Sequence, residues 1–171
     1  IFRYRAASDL FPAGLPSFQQ QVGLPLVTHA RWIDPTSPYR NEFSFSGNVM
    51  TDPSYWGDVM NYLRSSGVVT YEQDWLGAQA QPVYDLAAPQ QFMGNMATAA
   101  QQLGMTLQYC MPLPRHVLQT TEYSNVTSMR VSDDRFNRDK WDTFLYTSRL
   151  ASALGVWPWA DVFMSSERDN L

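Results

Sequence analysis

The chain has 171 residues, 44% hydrophobic and 16% charged, a composition that folds around a sizeable core and excludes a disordered segment. A net charge of −4 with no basic run excludes a surface that tracks nucleic-acid phosphates, and no run reaches the roughly 18 apolar residues of a membrane span. The single cysteine, Cys110, excludes an internal disulfide and a cysteine-built zinc cage.

In chain order one unit recurs. Residues 15–22 read as a short helix, Gly23 follows, and 24–28 form an apolar run. Residues 55–66 carry Trp56, Met60 and Leu63 on one helical face and end at Gly67, before the run 68–71. Residues 89–103 place Phe92, Met93, Met96, Ala100 and Leu103 at helical spacing, and Gly104 leads into 105–109. A helix or loop around 116–124 precedes the β-branched run 126–131. The last unit is a helix over 139–154 with Trp141, Phe144 and Leu145, then Gly155 and the pair Val156-Trp157. Glycine after the last helical turn takes the left-handed cap without a Cβ penalty. A short apolar run after it suits a strand buried on both faces by helices. Helices alternating with such strands predict an α/β fold with right-handed crossovers, in a single domain over 1–171.

Each predicted strand runs into a polar or aromatic cluster: His29-Ala30-Arg31-Trp32, Glu72-Gln73-Asp74-Trp75, Cys110-Met111, Ser132-Asp133-Asp134 and Trp159-Ala160-Asp161. Chemistry gathered at successive strand C-termini is the arrangement of a (β/α)₈ barrel mouth, although periodicity alone does not separate a barrel from an open sheet. Five strands leave about three of the eight to be supplied. The segment therefore reads as the middle of a barrel. It begins at Ile1 without a methionine and stops at Leu171 just after charged residues, so the polypeptide is expected to continue at both ends. One partner is then the remainder of its own polypeptide, and the other, a carbohydrate substrate, is what the carboxylates and the resemblance described below imply.

Two carboxylates from different strands, facing one pocket, are what glycoside hydrolysis needs. Asp74 ends a buried strand beside Tyr71 and Trp75, where a carboxylate is costly unless hydrogen-bonded or used, though a loop or capping role is an equal reading of the pattern. Asp133 and Asp134 follow another strand, and Ser-Asp-Asp is also good helix N-cap material, so one can cap while the other faces the mouth. Other chemistries lack their parts. The only lysine, Lys140, falls in a predicted helix rather than at a strand end, as a Schiff base would need. The two histidines, His29 and His116, lie in separate segments and suit hydrogen-bonding or substrate-contacting roles better than a zinc site. No glycine-rich phosphate loop or nucleophile elbow is present, and no metal or other cofactor is implied. Six tryptophans suit stacking on sugar rings, with core packing the commoner use.

The clusters resemble glycoside hydrolase clan D, above all family 36 and the raffinose-synthase, α-galactosidase-like type. Arg130-Val131-Ser132-Asp133-Asp134 is similar to an Arg-x-Ser-Asp-Asp-Phe segment, which implies Asp134 as acid/base. Residues 69–75, Val-Thr-Tyr-Glu-Gln-Asp-Trp, resemble the nucleophile strand, which typically reads Tyr-x-Lys-x-Asp and implies Asp74 as nucleophile. Cys110-Met111 resembles a Cys-Met pair on the strand between, and Pro158-Trp159-Ala160-Asp161-Val162-Phe163 a Pro-Asp-Trp-Asp-Met-Phe segment. His29 stands where the raffinose-synthase type has a strand-end histidine. The resemblance runs in order from residue 24 to residue 166. It implies substrate contacts from His29, Trp32, Glu72, Trp75, Cys110, Arg130, Asp133, Trp159 and Asp161. There are departures: Glu72 replaces a lysine that usually binds sugar hydroxyls, Trp159 replaces an aspartate, Arg135 stands for an aromatic, and residues 77–88 form an insert.

The resulting expectation is a retaining glycosidase or transglycosylase acting on α-galactoside-like substrates. Asp74 would be ionised at the start of turnover, and Asp134 protonated through burial or the other carboxylate's charge. A carboxyl separation of about 5–5.5 Å would make it retaining. The alternative is a carbohydrate-binding or structural barrel that has lost turnover, which Glu72 in the lysine position motivates. The triplet Asn125-Val126-Thr127 is a glycosylation sequon compatible with secretion.

Overall fold

The computed structural model describes residues 1–79, 85–134 and 138–161. The elements run α1 (Gly14–Val22), β1 (Leu26–Ala30), α2 (Tyr39–Glu42), β2 (Phe45–Ser46), β3 (Val49–Met50), α3 (Pro53–Ser65), β4 (Val68–Gln73), α4 (Leu76–Gln79) and α5 (Ala88–Gln102). They continue with β5 (Thr106–Tyr109), α6 (Pro114–Gln119), β6 (Val126–Arg130), α7 (Trp141–Ala153) and β7 (Trp157–Trp159). Single 3₁₀ turns lie at Thr120–Glu122 and Arg138–Lys140.

Five strands form one sheet in the order β1-β4-β5-β6-β7, and every neighbouring pair is parallel. The expected strands are therefore adjacent in chain order. The four glycines that end the helix units, Gly23, Gly67, Gly104 and Gly155, all have positive φ, as left-handed caps require. Strand starts moved by one or two residues for local reasons. Pro25 has no N–H to give, so pairing begins at Leu26, whose N–H reaches the Gly67 carbonyl at 3.1 Å. The Val156 N–H closes back on Ala151 of α7 at 3.0 Å, so β7 starts at Trp157. The β2–β3 hairpin and the short α2 and α4 carry too little periodicity to be read from sequence.

The core lies between the sheet and α3 and α5. Asp52 caps α3 by accepting from the Ser54 N–H at 2.9 Å, and Pro53 occupies the first turn, where its missing N–H costs nothing. Tyr55, Trp56, Val59, Met60 and Leu63 then recur at three and four residues and are buried on one face. Trp56 meets Tyr71 of β4 at 6.0 Å and Phe92 of α5 at 5.1 Å, both edge-on. Trp56→Ala would remove this joint at a cost of about 3–5 kcal/mol. Much of the aromatic surplus is thus core, as the commoner use predicts.

Strand alternation follows from this packing. Tyr71 faces the helices, so Thr70, Glu72 and Asp74 face the opposite side of the sheet. The register carries that side across all five strands, aligning His29, Glu72, Gln108, Ser128 and Trp157. This row is polar over four strands, and the Ser128 hydroxyl donates to Gln108 Oε1 at 3.0 Å.

Two side chains take structural roles. His116 is fully buried in α6, and its Nδ1 accepts from the Leu113 N–H at 3.0 Å. Asn125 of the sequon donates through Nδ2 to the Ala97 and Met105 carbonyls at 3.0 and 3.4 Å. The atom that would carry a glycan instead ties α5 to the start of β5. Among the described residues no helix is long and apolar enough to cross a membrane.

Candidate active site

The C-terminal ends of β1, β4 and β5 meet at Asp74, which is 8% exposed. His29 Nε2 lies 2.9 Å from Oδ2, and the Trp75 N–H donates to Oδ1 at 2.7 Å. The Cys110 thiol is a third donor to the carboxylate. Burial pushes the Asp74 carboxyl up, while Cys110, His29 and the Trp75 N–H pull it down, and the donors prevail: it holds below its ordinary 3.8. Burial pushes the Cys110 thiol up and the Asp74 carboxylate adds to that, so the thiol keeps its proton and remains a donor.

Backbone geometry marks the same place. The two described non-glycine residues with left-handed φ are Trp75 (57°) and Met111 (51°). Each directly follows a residue of this hydrogen-bonded group. Such conformations cost of order 1–3 kcal/mol and persist where the surroundings over-determine them. At Trp75 the turn delivers the N–H to Oδ1 and sets the indole edge-on to Trp32, centroids 4.9 Å apart. Trp75 is 39% exposed, so this pair forms an aromatic wall beside the carboxylate.

On β6 and β7 a second group forms around Arg130, itself buried. One guanidinium nitrogen, Nη1, donates to Asp134 Oδ1 at 2.8 Å and to Asp161 Oδ2 at 2.9 Å. Ser132 joins the two loops by accepting from the Asp161 N–H at 3.0 Å and donating to the Asp133 carbonyl at 3.0 Å. Arg130 Nε and Trp159 Nε1 are buried donors with no acceptor among the described residues. A cavity of about 290 Å³ opens beside this group, lined by Met111, Arg130, Ser132, Asp133, Lys140 and Phe144 among others; Asp74 is not in its wall.

One expectation needs correction. Neither Asp133 nor Asp134 caps the following helix: a 3₁₀ turn intervenes, and the residue before α7 is Lys140, which makes no side-chain cap. Asp133 instead lies 3.9 Å from the Lys140 ammonium. The Asp134 side chain is 77% exposed and ion-paired to Arg130. Glu72 sits one row deeper than Asp74, between His29 and Gln108 in register. Sequence reasoning missed Gln108, Ser128 and Trp157. Alternation would have placed them on this face once Glu72 was assigned to it, because in-register neighbours share a face. Arg135, Val162 and Phe163 lie outside the described residues, as does 80–84 of the 77–88 insert.

No protein-family model matches the sequence, and no curated protein matches it either. Two crystal structures resemble the fold: Abp, a GH27 β-L-arabinopyranosidase from Geobacillus stearothermophilus, and a variant of it in complex with arabinose. The first is 16% identical with a TM-score of 0.65 and the second 16% with 0.64; each covers 92% of this chain. The chain spans 44% and 45% of the two matched chains, less than half their length. These structures belong to GH27, not to family 36 or the raffinose synthases. What the likeness establishes is a mixed α/β fold with a parallel sheet, shared with a glycoside hydrolase.

Proposed function

We propose that this chain is the central part of a (β/α)₈ glycoside hydrolase of clan D. It would cleave galactose-like pyranosides with retention, with Asp74 as nucleophile and Asp134 as acid/base. The observation that carries the reading is the Asp74 carboxylate: kept ionised at a strand end by three donors, on the face of a parallel sheet opposite Tyr71 and the helices it packs against. The barrel reading draws on five parallel strands in chain order and on Val27 and Trp157, which stay 57% and 77% exposed on the two edge strands. It also draws on the shared fold and on the share of the matched chains that is spanned.

An α-D-galactopyranoside and a β-L-arabinopyranoside have the same ring configuration and differ by one hydroxymethyl group. The family resemblance of the motifs and the activity named for the matched enzyme therefore point to one stereochemical class. In the proposed cycle Asp74 attacks the anomeric carbon as Asp134 protonates the leaving oxygen. Asp134 then draws a proton from the acceptor that opens the ester. Water as acceptor gives hydrolysis and a sugar gives transglycosylation. The unmatched Arg130 and Trp159 N–H groups would meet sugar oxygens, and the Trp32–Trp75 wall a ring face. The paired, exposed Asp134 favours a second reading, a barrel that binds sugar without turnover.

The test uses the full-length protein and a mechanism-based fluoro-galactosyl fluoride, read by intact mass. Wild type and Asp134→Asn should gain one glycosyl group, on Asp74, and Asp74→Asn should gain none. Labelling of Asp74→Asn would refute the nucleophile assignment. An unlabelled wild type that still binds galactose would leave the second reading.

A further inference from the structure

We propose that His29 is the positioning residue that stabilises Asp74 as a leaving group, favouring the step that frees the sugar over the step that captures it. The inference rests on the reading of Asp74 as nucleophile. It concerns what one of the three donors, His29, does to the two chemical steps. An ionised carboxylate only accepts, so the hydrogen on the 2.9 Å line between His29 Nε2 and Asp74 Oδ2 belongs to His29, whether the ring is neutral or charged. Its placement is fixed from both sides: His29 pairs in register with Glu72, and its carbonyl accepts from the Tyr4 hydroxyl at 3.1 Å. Glu72, Asp74 and Tyr4 are its titratable neighbours by register and hydrogen bond, and Arg3, Arg5 and Tyr62 line the same cavity. The imidazole is 42% exposed, so it is not required to fill the core.

A carboxylate offers about four lone-pair directions, and the Trp75 N–H, the His29 ring and the Cys110 thiol take three. When an Asp74 oxygen bonds to the anomeric carbon, the bond to the aglycone breaks and the charge leaves Asp74. The His29 hydrogen bond weakens at that moment. When water attacks, its proton passes to Asp134, the carbon–oxygen bond of the ester breaks, and the electron pair returns to Asp74. The His29 bond strengthens again as charge reappears. A donor to the free carboxylate therefore restrains the first step and assists the second.

The experiment uses the full-length protein with p-nitrophenyl α-D-galactopyranoside and p-nitrophenyl β-L-arabinopyranoside. His29→Ala removes the donor. His29→Gln places an amide N–H where Nε2 stands. His29→Ala should lower kcat about 10- to 100-fold, the worth of one hydrogen bond to a charged group. It should leave kcat/KM within about threefold or raise it, so KM falls with kcat. A burst of p-nitrophenol should appear, and intact mass should show glycosyl-enzyme during turnover. His29→Gln should recover most of kcat and guards against a folding defect in the alanine variant. A parallel fall of kcat and kcat/KM without a burst, in both variants, would overturn the proposal, as would unchanged kcat in His29→Ala. If wild type forms no adduct on Asp74 with the fluoro-sugar, the nucleophile reading fails and this role with it. If wild type labels at Asp74 but the variants show no split, only the role of His29 falls.

Discussion

Asp74→Asn separates the charge of this site from its shape. Asparagine keeps the outline of the side chain but brings one oxygen and an NH₂ group to a place where His29, the Trp75 N–H and Cys110 all donate. With the amide oxygen on the Trp75 N–H, the NH₂ group faces His29, which then moves its proton to Nδ1 and accepts through Nε2. What is lost at neutral pH is about one hydrogen bond to a charged group, roughly 1.5–3 kcal/mol. Burying a neutral amide is cheaper than burying a carboxylate, which offsets part of this. The expected destabilisation is about 1–2 kcal/mol. Its pH dependence has a fixed sign. Folded Asp74 holds below its ordinary 3.8, so the stabilisation is complete above that unfolded value and disappears as pH falls through the folded one. Urea midpoints of the full-length wild type and variant should differ at neutral pH and converge as the pH falls below the ordinary carboxylate value and through the folded one. An Asn variant more stable than wild type at neutral pH would mean that the three donors do not hold the charge, and the reasoning would fail.

Asp134→Asn should slow natural glycosides about 10²- to 10⁴-fold, while substrates whose leaving group needs no proton change far less; equal losses on both would remove it as the acid. Asn125→Ala frees two buried carbonyls and should cost about 1–3 kcal/mol by thermal unfolding. The wild type made in a secreting eukaryotic host should carry no glycan at Asn125, and a folded glycoform would contradict this placement. Gly67→Ala should cost more than Gly23→Ala. Both residues are left-handed, at φ 80° and 69°, but a Cβ at Gly67 runs into the Gln19 side chain, whereas one at Gly23 meets open space. Gly23→Ala should therefore show only the left-handed penalty of about 1–2 kcal/mol, and equal costs would rule out the contact.

The helix-glycine-strand units were legible because each is a local decision. Gly67 takes a conformation that residues with a Cβ resist, and the helix before it carries Tyr55, Trp56, Val59 and Met60 at the spacing that buries one face. Parallel strands in chain order followed from those units, since a helix between two strands returns the chain in the same direction. The residues that carry the candidate chemistry were also visible, as polar groups at the ends of apolar runs. Their partners were not. That His29 and Cys110 both donate to Asp74, and that one nitrogen of Arg130 serves Asp161 as well as Asp134, depends on long-range contacts: 45 residues separate His29 from Asp74 and 31 separate Arg130 from Asp161. Side-chain spacing along one strand holds no record of such contacts. The sequon shows the same divide. Asn125-Val126-Thr127 reads as a modification site until packing brings the Ala97 and Met105 carbonyls to the amide. Sequence determined which way each strand runs and where its polar groups fall. Only the register between strands decided which of those groups meet, because a shift of one residue would turn Glu72 and Asp74 to the helices and Tyr71 to the opposite face.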